Sequence, residues 1–396
     1  MLALTPTSRR NAWGSPTAIP HALGLAPDGR AMAEAWFGAY PTAPSVVEDA
    51  TGATTLPAWI AADPAAVLGP DVVAQFGPRL PFLVKLLAAD SPLSLQLHPD
   101  AEHAAAGFAA EEAAGIGVDD PRRSFPDPYG RPEVLYALSA VEAVCGFRTP
   151  RRALQLLDGL ETPLARHLHA MLASTPGVAG LVAALGHLLD PASRPGADQV
   201  REVATECARR LWEGSPSVRA DRTVVVLGEE HPGDVGAVAS LLLNSVSLAP
   251  GEAIFIPPGT VHAYLSGLAV EVLAASDDEV RGALTLKAVD PPALLRAVAP
   301  VAGAPVRLAP ETFRGATDLF RAPVTEFELA VTTVGPGPAR LPGGGPRVLL
   351  CLEGALTLEG AAGALTLERG CGAFASARDG AVQVTGRGRL VQVAVP

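Results

Sequence analysis

The chain has 396 residues, 48% hydrophobic and 18% charged, which suits a folded protein whose cores divide between two or three units. Thirty Lys and Arg against 41 Asp and Glu leave a net charge of −11, which argues against nucleic acid or an anionic membrane as the main partner. Forty glycines and 38 prolines favour turns over long helical rods, and four cysteines without CxxC spacing form no disulfide scaffold.

Residues 1–13 carry Arg9 and Arg10 and lack the apolar centre of a signal peptide. No run approaches ~18 uninterrupted apolar residues, so no membrane span is expected, and a cytoplasmic location is. From residue 81 an apolar run reads as a buried strand, and Ser91-Pro92 reads as a turn. Leu93, Leu95 and Leu97 then alternate with Ser94, Gln96 and His98, the period of a half-buried strand. Residues two apart share a strand face, so Ser94, Gln96 and His98 project together, away from the leucines. Gly130-Arg131-Pro132-Glu133 follows a turn-rich loop and leads into another apolar run, 134–138.

From 150 to about 217 the texture changes. Leu154, Leu157, Leu160, Leu164, Leu168, Met171 and Leu172 recur at helical spacing. This predicts a helical subdomain, 148–222, inserted into a β domain made of 1–147 and 223–300. Its histidines, His167, His169 and His187, read as solvated. Residues 243–248 and 253–256 are strand-like and flank the turn 249–252. Beyond 300, the runs 347–352, 355–358 and 364–367 predict three meandering strands of a C-terminal β domain, 301–396. Within it, Gly370 opens GCGAFASARDGA with the rhythm of GEAIFIPPGTVH at Gly251. Ser376 stands where the first copy has Pro257, and Ala381 where it has His262, so one β unit is repeated with its polar site erased.

Gly251, Pro257, Gly259 and His262 fill the fixed positions of G-x5-P-x-G-x2-H. This resembles the second motif of the cupin superfamily, double-sheet barrels of the jelly-roll kind. Ser266 replaces that motif's usual Asn. The expected fold is mainly β with a helical insertion: two cupin-type barrels, the C-terminal one lacking metal ligands. Gln96-Leu97-His98 is the first-motif counterpart, and Glu133 supplies the missing carboxylate. Gln96, His98, Glu133 and His262 offer two nitrogens and two oxygens, a set that suits zinc and equally Mn, Fe or Co.

SLQLHP at 94–99, RPE at 131–133, PPGTVHAYLSG at 257–267 and EVLAASDDEVRGALTLK at 271–287 closely resemble type I phosphomannose isomerases. Trp13-Gly14, the run 33–38 and His231-Pro232-Gly233-Asp234-Val235-Gly236 resemble further segments of that family. The resemblance implies a zinc enzyme, one ion per chain, that interconverts mannose 6-phosphate and fructose 6-phosphate. It places the metal on Gln96, His98, Glu133 and His262, and a catalytic arginine on Arg281. Trp13, Lys85, Ser94, Arg131, Tyr264, Asp277 and Lys287 fall on substrate-pocket positions, and Glu271 is the expected base. The partner is a small sugar phosphate, and the chain is expected to be a monomer. One departure stands out: the family usually carries His-Lys where this chain has Gly130-Arg131, and a guanidinium cannot serve as a base. Two other readings of the same residues are a different cupin metalloenzyme, such as an oxygenase or another sugar isomerase, and a non-catalytic sugar-phosphate-binding protein.

Overall fold

The computed structural model describes residues 1–49 and 52–396. An antiparallel sheet runs in the order Val306–Leu308, Ala253–Ile256, Glu133–Ala137, His262–Ala274, Phe82–Ala89, Glu34–Gly38, Thr7–Arg9. A second layer pairs Leu243–Leu248 with Val141–Phe147 and Val280–Ala283 with Leu95–Leu97. The strand His262–Ala274 belongs to both layers. Its first residues pair with Leu95–Leu97 and Val141–Phe147, and its later ones with Phe82–Ala89 and Glu133–Ala137. It passes from one to the other at Gly267, where φ is +115° and a Cβ would lie 2.5 Å from the Ala140 carbonyl oxygen. Only glycine fits that corner. The arrangement is consistent with a cupin-type double sheet, and Leu87, Leu135, Cys145, Ile254, Ile256 and Tyr264 pack together within it.

The C-terminal β unit orders Glu311–Phe313, Thr317–Phe320, Glu328–Val334, Gln383–Ala394, Arg347–Gly360 and Gly372–Ala375, and then continues into Leu2–Thr5 and Val46–Asp49. The repeat read from the sequence has a backbone counterpart. Gly251 and Gly370 both take left-handed φ, +92° and +86°; each precedes a four-residue strand and then a long one, His262–Ala274 or Gln383–Ala394. Leu349, Cys351, Leu356, Leu358 and Leu390 cluster in this second unit, so its core is apolar. The two units share a further core in which Phe37, Phe82, Val84 and Phe255 join Phe320, Phe327, Phe374 and Val391.

Three expectations need correcting. The boundary at 300, and the placing of the first residues in the 1–147 unit, do not follow the sheets, because Leu2 pairs with Phe374 while Val306 pairs with Phe255. The runs 347–352 and 355–358 are one strand, Arg347–Gly360, which bends through a bulge between Cys351 and Glu353 and a left-handed Gly354. The helices also continue past 222. They run from Pro150–Leu157 through Val218–Glu230 and Val235–Ala239 to the short turn Ser240–Leu242. Residues 223–226 are β-branched, as strands prefer, yet Val224 and Leu227 are wholly buried in the helical core, and packing overrides local preference.

Leu95, Leu97, Val261 and Val280 join that helical core, which is why the leucine face of the 93–98 stretch turns away from Ser94, Gln96 and His98. Among the helices Arg210 and Asp221 form a buried pair. The Arg210 Nε donates to Asp221 Oδ2 at 3.1 Å and its Nη1 to the Leu156 carbonyl at 3.0 Å, while Ser215 donates to Asp221 at 2.6 Å. Asp221→Ala strands a buried guanidinium and is expected to cost about 3–5 kcal/mol, read as a fall in melting temperature with the β units still folded. All four cysteines are free, and no helix among the described residues is long and apolar enough to cross a membrane.

Candidate metal centre

His98 follows the short strand Leu95–Leu97, Glu133 opens Glu133–Ala137 and His262 opens His262–Ala274. Strand pairing draws them together: Glu133 sits opposite Ile256, and His262 opposite Gln96 and Cys145. Gly259 closes the corner, donating its N–H to the His98 carbonyl at 2.7 Å; a Cβ there would lie 2.9 Å from Ala297 and Ala299 backbone atoms. One potential ligand atom from each of His98, Glu133 and His262 lies within 4.8 Å of the others, and all three residues are buried.

Three atoms in this cluster lack any hydrogen-bond partner among the described residues: His98 Nε2, His262 Nε2 and Glu133 Oε2. Each Nδ1 meets a backbone carbonyl, His98 that of Asp278 at 2.6 Å and His262 that of Thr260 at 2.9 Å. A carbonyl only accepts, so Nδ1 carries the proton and the Nε2 lone pair is free for a cation. Burial, then the nearby Arg131 and His262, push the His98 imidazole well below its usual range, and neutral is the state a ligand needs. Tyr264 donates to Glu133 Oε1 at 2.8 Å and holds the carboxylate in place. Leaving such groups unpaired in a core is costly, so a divalent cation fits here. Gln96 lies beside the cluster, its Oε1 taking the Ser94 hydroxyl at 2.6 Å.

A cavity of about 650 Å3 lies alongside, lined by Trp13, Lys85, Ser94, Gln96, Arg131, Tyr264, Glu271, Asp277, Arg281 and Lys287. All the non-ligand residues singled out in the sequence line this one space. Deep in it, Lys85 Nζ is 3.4 Å from both Glu34 and Glu271 and 4.2 Å from the centre of the Trp36 ring. Burial opposes the Lys85 charge, but Glu34 and Glu271 outweigh it and keep the ammonium above its usual range. Burial pushes the Glu271 carboxyl up to about 7, with Lys85 pulling against it.

Arg131 is buried with Glu133, Glu271 and Asp277 each 3.8 Å away, and it donates to the Asp278 carbonyl at 3.2 Å. Burial opposes its charge too, yet those carboxylates raise it further, so it stays a cation. The neighbouring Gly130 has a steric reason. A Cβ there would lie 2.7 Å from the Ala101 nitrogen, at the start of the helix Ala101–Ala113. This backbone has no room for a side chain at 130.

Besides Glu230, two carboxylates of the cavity went unread in the sequence. Glu279 accepts the Arg281 Nε–H at 2.7 Å and lies within 3.2 Å of the Ser94 hydroxyl; although burial opposes it, Arg281 holds the carboxyl at about 2. Glu34 accepts from Trp36 Nε1 at 3.2 Å. The signal was present in both cases, since Glu279 and Arg281, like Glu34 and Trp36, are two residues apart on extended chain and share a face.

Residues 1–150 match the family model of the phosphomannose isomerase type I catalytic domain. Mannose-6-phosphate isomerases of Shigella flexneri and Escherichia coli are each 34% identical over 99% of this chain and 99% of their own length. Among solved structures, a zinc-bound holo mannose 6-phosphate isomerase is 32% identical with a TM-score of 0.89, covering 100% of this chain and 99% of its own. A variant phosphomannose isomerase from Salmonella typhimurium is 33% identical with a TM-score of 0.88 over the same shares. With full-length relatives at this identity and a matching fold, the chain belongs to the type I phosphomannose isomerase family.

Proposed function

We propose that the protein is a zinc-dependent isomerase that interconverts mannose 6-phosphate and fructose 6-phosphate, with the ion on Gln96, His98, Glu133 and His262. The observation that carries this reading is the set of three unpartnered, buried ligand atoms beside a cavity rich in both charges. When bound, the ion supplies Lewis acidity toward sugar oxygens, worth several kcal/mol in such reactions.

The chain's own residues do the rest. Aldose–ketose exchange moves a proton between C2 and C1 through an enediol or enediolate, which requires a base of suitable pKa. Glu271 is that base: a carboxyl near 7 takes a proton and returns it at neutral pH. Lys85, which lies over the Trp36 ring, and Arg131 hold it in place. Lys85 and Arg131 already face carboxylates, so they balance charge in the cavity. Arg281 commits only its Nε to Glu279, and Lys287 has no ion pair among the described residues. These two cations take the phosphate, with the Arg281 Nη fork suited to two oxygens at once. Ser94 and Trp13 complete the wall, and Tyr264 and Asp277 orient Glu133 and Arg131.

The cavity is complete within one chain, which supports action as a monomer, and four free thiols support a cytoplasmic setting. A coupled assay for fructose 6-phosphate from mannose 6-phosphate, with zinc quantified on the same sample, tests the reading. Turnover is expected to vanish on chelation and to return with added zinc. Turnover persisting in metal-free protein would exclude the metal centre, and bound zinc without turnover would favour a binding protein.

A further inference from the structure

The segment 231–236 leads from the helix Val218–Glu230 into the helix Val235–Ala239 beside the cavity, and the mechanism above makes no use of it. Glu230 and His231 line the cavity together with Thr285, Leu286 and Lys287. Asp234 joins the two segments. Its Oδ1 accepts the Gly236 N–H at 2.8 Å, and its Oδ2 reaches across the chain to accept the Leu284 N–H at 3.0 Å.

Leu284 has φ +56°, a conformation that a bulky side chain adopts only when its surroundings impose it. Two features impose it here. One is the Asp234 carboxylate on its N–H. The other is Gly236: a Cβ at that position would lie 2.5 Å from Leu284 Cγ, so the missing side chain makes room for the buried leucine. The loop beyond is tied at its base, where Asp290 N–H donates to the Arg281 carbonyl at 2.9 Å. Its tip is not anchored by packing, since Leu286 is fully exposed and Lys287 is exposed as well.

We infer that Asp234 is a positioning residue for substrate binding: it clamps Leu284 in the left-handed conformation, and so holds Lys287 at the cavity rim for the anionic end of the substrate. The inference rests on the reading that Arg281 and Lys287 take the phosphate. A loop fixed before binding spares the ordering cost at the moment of association. The clamp acts on the end of the sugar remote from C1 and C2. It therefore serves binding in the ground state and the transition state alike, and its loss shows in KM with kcat unchanged.

The test uses the zinc-loaded full chain. Asp234→Asn keeps the volume and one oxygen for Gly236 but loses the acceptor for Leu284. Hydrogen exchange across residues 282–288 is expected to speed up, KM for mannose 6-phosphate to rise about tenfold and kcat to stay within about twofold, with bound zinc unchanged. Lys287→Ala is expected to raise KM by a similar factor, and the double variant to be no worse than Lys287→Ala alone, because the clamp acts through that lysine. Unchanged exchange in Asp234→Asn overturns the clamp. KM factors that multiply in the double variant overturn the link to Lys287, as does a KM unmoved by Lys287→Ala. A wild-type protein inert toward mannose 6-phosphate overturns the proposed function instead, and the exchange measurement still decides the clamp.

Discussion

Glu133→Ala is expected to leave the protein without zinc and to lower turnover of mannose 6-phosphate at least about 10³-fold, the equivalent of ~4 kcal/mol of transition-state stabilisation. The size follows from the position of Glu133. It is wholly buried, its Oε1 lies 3.3 Å from His262 Nε2 and its Oε2 lies 3.4 Å from His98 Nε2. No other carboxylate joins that cluster among the described residues, so the two imidazoles lose their only anionic partner. Elemental analysis alongside the coupled assay reads both effects on one sample. Zinc retained at one per chain with activity lost would give Glu133 a catalytic role and leave the ion to other ligands.

Glu271→Gln separates chemistry from metal binding. Zinc content is expected to match the wild type, while kcat falls about 10²–10⁴-fold, the range spanned by loss of a general base. The pH profile gives a second readout. A base must be deprotonated to act, so kcat/KM of the wild type rises with pH through about 7 and levels above it. Glutamine does not titrate, and that limb is expected to disappear. A variant that keeps its rate within tenfold and retains the limb would move the proton-transfer role to another group on the cavity wall.

The residues of the candidate metal centre were legible because they sit in local patterns with a physical meaning. Ser94, Gln96 and His98 alternate with leucines, and Leu95 and Leu97 bury against helices, which forces the polar face toward the interior. The Gly251–His262 spacing encodes a turn, a corner and a re-entrant strand, and the structure holds all three. The local signal of Glu34 and Glu279 went unread, and their partners across the cavity are distant in sequence. Glu34 meets Lys85 51 residues on, and Glu279 meets Ser94 185 residues away. The pairing of Leu2 with Phe374 lies further still, and four residues carry too short a period to announce a strand. The Thr223–Val226 stretch is the opposite case, a clear local preference for strand that the helical core overrules.

The strand Leu2–Thr5 lies between Gly372–Ala375 and Val46–Asp49. In synthesis, the edge that pairs with Val46–Asp49 finds its partner early, whereas the other edge waits until Gly372–Ala375 is made. Contacts so remote in the chain fold slowly, because a long loop must close before they are rewarded. An unpaired edge held open through that interval invites association with other nascent chains. The unit that holds the candidate metal centre and its site-less counterpart are therefore coupled, each completed by chain that the other supplies.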